Sequence, residues 1–411
     1  MDCFASLALT KERLLASHPL VILRQNRSGR KWMRIEPFTI AIPDDRLQWV
    51  LGRLADARWP TLPDEEPWRH GVDNTDLRDF VDHIVNHYDW RAEEAKLNAF
   101  PQYMAAVDGQ EIHFIHARSD RDDAPTVLLS HGWPSTHADF IGVIDRLTHP
   151  ERHGGRAEDA LHLVIPSLPG YGFSPMPRRI IGPPTFARQF DRLMTEGLGL
   201  DSYIPQGGDV GSVISSWIAW RSPAVRALHL NYNGWFQAGQ KPETQEEAEA
   251  VTRWNHLRDD DGGYSHLAAT RPFNLAYAFT DSPLGAAAWI FARYKRGIDD
   301  LWSVYDKDAL ATTVMIFLLT GSLPSSMNSY RGLRIDEQRP ADSIIDVPTA
   351  FLRFPGEIAS FPRSFLEKTY TNIVRWTDVP AGGHFAAFEQ PELFCSDLLA
   401  FCRDVTDGRF D

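Results

Sequence analysis

The sequence predicts an α/β fold, a mostly parallel, doubly wound sheet flanked by helices and interrupted by a long helical insertion. Three observations predict it. Short apolar runs alternate with segments of helical periodicity. One run ends in a Gly-rich turn that opens straight into a helix, Gln206-Gly207-Gly208-Asp209-Val210-Gly211-Ser212. More than a hundred residues with no strand signal separate the apolar run at 227–230 from that at 349–353.

Residues 1–34 are weakly patterned, with a basic, solvated stretch from Arg24 to Arg34. Asp44-Asp45 stand before Leu47, Val50, Leu51 and Leu54, the start signal and spacing of a capped amphipathic helix. Leu77, Phe80, Val81, Ile84 and Val85 repeat that spacing. Strands are predicted at 111–117, 126–129, 161–165, 203–204, 227–230, 349–353 and 373–376. Helices are predicted at 186–198, 210–220 and 391–402. In such a sheet, ligands bind at the carboxyl ends of the strands, and a long insertion covers that edge. The chain then divides into a variable segment (1–34), an N-terminal domain (35–105), a core (106–232 and 346–411) and a helical cap (233–345).

Composition narrows the function classes. Lys and Arg number 42 against 55 Asp and Glu, a net charge of −13, which argues against nucleic acid and anionic membrane surfaces as partners. The three cysteines (Cys3, Cys395, Cys402) form no CxxC and no disulfide framework, so a reducing, cytoplasmic setting is expected and a structural zinc site is not. No run reaches the ~18 apolar residues of a membrane span, and Met1 to Leu15 does not read as a signal peptide. The generous aromatic content, with 13 Trp and 23 Phe, suits a large core or an apolar pocket.

The turn at 206–212 carries the chemistry. Small residues two before and two after Asp209 permit the sharp strand-to-helix bend that presents one side chain at the sheet edge, a nucleophile elbow with Asp in place of Ser. No G-x-S-x-G occurs, which disfavours a serine esterase, and the phosphate, dinucleotide and H-E-x-x-H metal motifs are absent, so neither cofactor nor metal is expected. A carboxylate with an ordinary pKa near 3.9 is already ionised at pH 7 and needs no base before it attacks. It suits displacement at a saturated carbon, leaving an ester for water to cleave. The competing reading is a plain helix cap.

Two further groups should follow in chain order, an acid and then a histidine. His384 lies in the Gly-rich loop Ala381-Gly382-Gly383-His384-Phe385 after the last strand, where a water-activating base belongs. Glu357, in Phe354-Pro355-Gly356-Glu357, follows the strand at 349–353 and would orient that imidazole. Asp378 and Glu389 are weaker rivals, and Asp346 lies at the wrong end of the strand. The loop His131-Gly132-Trp133-Pro134 would supply one oxyanion N–H from Trp133, and Val210 the other. His131 reads as structural, and Gly170-Tyr171-Gly172-Phe173-Ser174-Pro175 as scaffold.

As a set, these motifs resemble the epoxide hydrolases of the α/β-hydrolase superfamily, in their microsomal or juvenile-hormone-type branch. Gly207-Gly208-Asp209-x-Gly211-Ser212 and the two loops above carry the likeness. So do Asp281-Ser282-Pro283-x-Gly285 and Thr320-Gly321-Ser322 with Tyr330 in the cap, Glu36-Pro37-Phe38, and Leu97-Asn98 leading to Ile112-His113-Phe114. The likeness runs over about residues 35–405. It implies an α/β-hydrolase fold whose N-terminal extension packs over core and cap. It implies Asp209 as the nucleophile that forms a hydroxyalkyl ester, and His384 with Glu357 as the water-activating pair. It implies two cap tyrosines that donate to the epoxide oxygen; Tyr330 matches one well and Tyr264 the other less closely. Substrate and co-substrate would be a bulky or aryl epoxide and water, with vicinal diols as products, in detoxification or secondary metabolism; a homodimer is left open. Many relatives carry Trp after the nucleophile where this chain has Val210, and membrane-bound relatives carry an N-terminal span that residues 1–34 do not supply. Two alternatives stand beside this reading: a haloalkane dehalogenase using the same Asp, for which Trp133 could partly supply a ring N–H, and a non-catalytic ligand-binding homologue.

Overall fold

The structure, a computed structural model, describes residues 33–232, 240–296, 298, 300–340 and 342–410. The variable segment up to residue 32, the first seven residues of the expected cap and Cys3 lie outside it.

The strands β1 (Ile35–Phe38), β2 (Gln102–Val107), β3 (Gln110–Ala117), β4 (Thr126–Ser130), β5 (His162–Pro166), β6 (Ile204–Gly207), β7 (Leu228–Leu230), β8 (Thr349–Arg353) and β9 (Ile373–Asp378) form a single sheet. Their order is β1-β2-β3-β5-β4-β6-β7-β8-β9. Pairing is antiparallel from β1 through β5 and parallel from β5 through β9. Every residue of β4, β5, β6 and β7 is buried, as expected where helices cover both faces of a parallel sheet. This is the mostly parallel, helix-flanked architecture that the sequence predicts.

Each strand expected from residue 111 onward is present, with no end displaced by more than three residues. The sequence does not announce β1 and β2. Ile35-Glu36-Pro37-Phe38 carries a proline, tolerated because β1 is the sheet edge, and Gln102 to Val107 mixes small and polar residues without alternation. Both strands continue the central sheet, so the boundary expected after residue 105 falls inside β2. The helix Trp90–Leu97 is also unannounced, because it buries only its two end residues; Asp89 caps it through the N–H groups of Arg91 and Ala92. The helix expected at 186–198 runs from Pro183 to Arg192 and ends in a π-turn, Leu193–Gly197.

Among its described residues, the insertion's named elements are all helices, from Gln245–Asp261 to Asn328–Ile335. Its helix Lys307–Thr320 is buried on nearly every side from Leu310 to Leu319, which explains why the most apolar run in the chain is a core helix. Among the described residues, no single helix is long and apolar enough to cross a membrane. The helices Asp44–Ala55 and Asn74–Asn86 pack on the cap. Arg46 donates to the carbonyls of Leu318 (2.8 Å) and Leu319 (3.2 Å), His83 meets Asp308 at 2.7 Å, and Lys307 meets Asp79 at 2.6 Å.

The 170–175 loop fastens cap to core. The Gly172 N–H donates to Ser322 Oγ (3.0 Å), Ser325 Oγ donates to the Gly170 carbonyl (2.6 Å), and the Tyr171 and Ser329 hydroxyls lie 2.7 Å apart.

Candidate active site

The register of β4 on β6 sets the site. Ser130 pairs with Gly207, so the loops leaving both strands emerge side by side at the carboxyl edge. The loop from β6 bends at once into the helix Asp209–Arg221, and Asp209 takes a left-handed φ of +46° at that bend. The bend depends on small neighbours. A Cβ on Gly211 would collide with the Ser130 carbonyl, and one on Gly132 with the Asp209 carboxylate itself.

Asp209 is held by both loops. The Trp133 N–H donates to its Oδ1 at 2.8 Å, and the Val210 N–H also binds the carboxylate. Its Oδ2 lies 3.4 Å from Nε2 of His384. Burial alone would raise the Asp209 pKa, but His384 and the two amides outweigh it and hold the carboxyl below its ordinary value.

The loops after β8 and β9 supply the other two groups. Gly356 pairs with Gly383 in a parallel bridge, which brings the loops together. The His384 Nδ1–H donates to Glu357 Oε1 at 2.7 Å, and the Ile358 N–H donates to the same oxygen at 2.6 Å. Burial would lower the His384 pKa, but Glu357 and Asp209 on either side outweigh it and raise it well above the ordinary value, favouring the imidazolium. The rivals are elsewhere. Asp378 pairs with Arg353 at 2.9 Å, Asp346 is exposed, and Glu389 accepts from the Phe385 N–H (2.9 Å) and the Tyr305 hydroxyl (2.8 Å).

Two cap tyrosines face this carboxylate. The Tyr264 and Tyr330 rings meet edge to face at 5.9 Å, and their side chains are hydrogen-bonded. Trp133 stacks on Tyr264 (5.4 Å, 13°) and meets Tyr330 edge-on (5.6 Å). Burial, then the neighbouring Tyr264 and Asp209, push the Tyr330 phenol well above its ordinary pKa, so it stays protonated and able to donate. The other cap tyrosines divide: Tyr277 is exposed, Tyr294 donates to buried Asp139 (3.3 Å), and Tyr305 lines the cavity.

The site opens into two cavities that share Asp209, Tyr264, Arg296 and Ile358. One, of about 460 Å3, runs past Trp133, Tyr305 and Phe385. The other, of about 290 Å3, runs past Val210, Val213, Trp254, Tyr330 and Leu333. Among the described residues, no group of three His, Cys, Asp or Glu side chains could hold a metal ion.

Known proteins resemble this chain over most of its length. Residues 35–140 match the family described as epoxide hydrolase N terminus. The chain is 37% identical to a candidate epoxide hydrolase of Stigmatella aurantiaca, over 90% of this chain and 85% of that one. It is 30% identical to epoxide hydrolase 1 of Sus scrofa, over 89% and 88%. The chain belongs to the epoxide hydrolase family. Among solved structures it is similar to juvenile hormone epoxide hydrolase from Bombyx mori, with a TM-score of 0.82 at 26% identity over 92% of this chain and 96% of that one. The fold of this epoxide hydrolase is therefore the α/β-hydrolase fold, as the motifs imply.

Further residues complete the site. Tyr232 lies edge-on to His384 at 5.7 Å. Ser326 accepts the indole N–H of Trp133 at 3.0 Å, so that ring donor, expected to serve a halide in the dehalogenase alternative, is already engaged. Asp139 is buried and accepts from Ser135 (2.6 Å) and Thr313 (2.9 Å), joining the Trp133 loop to the cap. These roles follow from contacts between distant segments; only the closeness of Asp139 to the His131–Pro134 motif marked it in the sequence.

Proposed function

We propose that this epoxide hydrolase works through a covalent ester on Asp209. Oδ2 attacks an epoxide carbon, the strained C–O bond breaks, and the departing oxygen takes a proton from Tyr330 or Tyr264. Oδ1 stays bound by the Trp133 and Val210 amides. The observation that carries the reading is the unbroken chain Asp209–His384–Glu357, with contacts of 3.4 and 2.7 Å.

That chain also supplies a switch. In the free enzyme His384 is held protonated partly by the charge of Asp209. Esterification removes that charge, so the imidazole pKa falls and His384 can give up its proton, through water, to the tyrosinate left by ring opening. It then takes one from water, which attacks the ester carbon. The tetrahedral oxyanion sits on the two amides; as it collapses the ester C–O bond breaks, the leaving oxygen takes the proton of the new Asp209 carboxyl, and Glu357 stabilises the imidazolium.

Two cavities meeting at Asp209 suit an epoxide with a substituent on each side or one bulky aryl group. Val210 in place of Trp widens the second cavity. The engagement of the Trp133 indole by Ser326 weighs against a halide leaving group, and the two phenols favour an oxygen.

Single turnover in 18O-water tests the mechanism. The water oxygen enters the Asp209 carboxylate, and the first equivalent of diol carries none. Label in the first diol and not in the Asp209 peptide would mean direct attack of water on the epoxide.

A further inference from the structure

Tyr264 makes two close contacts through its ring. Trp133 stacks at 5.4 Å and 13°. The Arg293 guanidinium lies 4.5 Å from the ring centre. Arg293 is itself fixed, since its Nη1 donates to both carboxylate oxygens of Asp261 at 3.1 Å. Arg296 meets the same Asp261 at 2.9 Å. Two guanidiniums around one carboxylate leave this cluster with a charge of +1.

The three partners come from different parts of the cap: Asp261 ends the helix Gln245–Asp261, Tyr264 begins the helix Gly263–Thr270, and Arg293 lies near the end of the helix Pro283–Tyr294. The side chains of Arg293 and Arg296 are 18% and 17% exposed, so water screens their charge weakly. Both arginines line the larger cavity, close to where the substrate oxygen must lie.

We propose that Arg293, held by Asp261, is a positioning residue for ring opening: it clamps Tyr264 against Trp133 and sets a fixed cation behind the phenol that receives the epoxide oxygen. The inference rests on the proposed donor role of Tyr264. Two physical effects follow from it. A ring held by two close contacts loses little entropy when its hydroxyl meets the substrate. A preorganised positive charge favours the negative charge that develops on the departing oxygen, and it does so more than it favours the neutral epoxide. Ester hydrolysis is driven from His384 and the two amides, and on this proposal does not use the cation.

The test is rapid-mixing kinetics on the full chain with styrene oxide as the probe, resolving ester formation from ester breakdown. In Arg293→Met, ester formation slows about 10-fold, the ordinary weight of a desolvated cation on a ring, while ester breakdown stays within about twofold. Arg293→Lys recovers part of the loss because it restores the charge. Asp261→Asn leaves Arg293 in place but unanchored, gives an intermediate loss, and reads the clamp if Arg293→Met folds poorly. In a Tyr264→Phe background, Arg293→Met has no added effect on ester formation.

Equal slowing of both steps, or independent multiplication of the two effects in the double variant, would overturn the clamp and leave Tyr264 as donor. Undiminished ester formation in Tyr264→Phe alone would overturn the donor role itself, and the clamp with it.

Discussion

Nε2 of His384 stands 3.4 Å from Oδ2 of Asp209, longer than the 2.7 Å that ties its Nδ1 to Glu357. The imidazole is thus anchored on the Glu357 side and faces the nucleophile across a looser gap, on the side where an ester will form. His384→Gln keeps a polar group at this position but removes the base. Ester formation should persist, and steady-state turnover should fall by about 100- to 10,000-fold, the usual weight of general-base catalysis. Intact-protein mass spectrometry after incubation with an aryl epoxide should show the adduct persisting on Asp209. Full activity in His384→Gln would remove the proposed second step.

Tyr330 is half-buried, like Tyr264, and its phenol is pushed well above its ordinary pKa, so it stays protonated at ordinary pH values. Removing its hydroxyl takes one donor from the developing alkoxide. Tyr330→Phe should slow ester formation by about 100- to 1,000-fold, the range seen for lost oxyanion donors, and leave ester hydrolysis near its original rate. The two phases of a single-turnover experiment check this. An unchanged first phase would assign the donor role to Tyr264 alone.

The sequence reveals what depends on local backbone. The bend at Asp209 is legible because Gly207 and Gly211 mark it, and the histidine loop because Gly382 and Gly383 flank it. Chain order then places Glu357. The sheet is legible where strands are buried on both faces and so read as apolar runs. It is illegible at β1 and β2, where an edge position tolerates Pro37 and mixed composition. What joins distant segments is also illegible. Ser326 on the Trp133 indole, Tyr232 beside His384 and Arg293 over Tyr264 have no signature at fixed spacing, because cap packing alone brings them together.

Beneath the nucleophile, a row of buried histidines makes stability depend on pH. The His113 Nε2–H donates to Gln102 Oε1 (2.7 Å), and the two hydrogen-bonded Nδ1 atoms of His113 (2.9 Å) and His137 (3.1 Å) share Ser167 Oγ. His131 Nε2 accepts the Leu168 N–H at 3.2 Å, which requires a neutral ring. Burial pushes His113 down to about 3, His131 to about 4 and His137 well below the ordinary value. These folded-state values lie below the unfolded 6.5, so the unfolded chain binds protons first as pH falls. Stability is full above pH 6.5 with respect to these groups and is lost from there toward about pH 4, at about 1.4 kcal/mol per pH unit for each histidine. Asp139, pushed up to about 6 by burial, works in the opposite sense between its ordinary 3.8 and 6, and offsets about one of the three. Above pH 6.5 the sign changes through His384, whose raised pKa makes stability decline as pH rises. Urea unfolding across pH 5–8 should therefore show a maximum near pH 6.5–7, and His113→Asn should flatten the acid limb by about one proton. A flat profile between pH 6.5 and 5 would mean that these rings titrate freely in the folded protein.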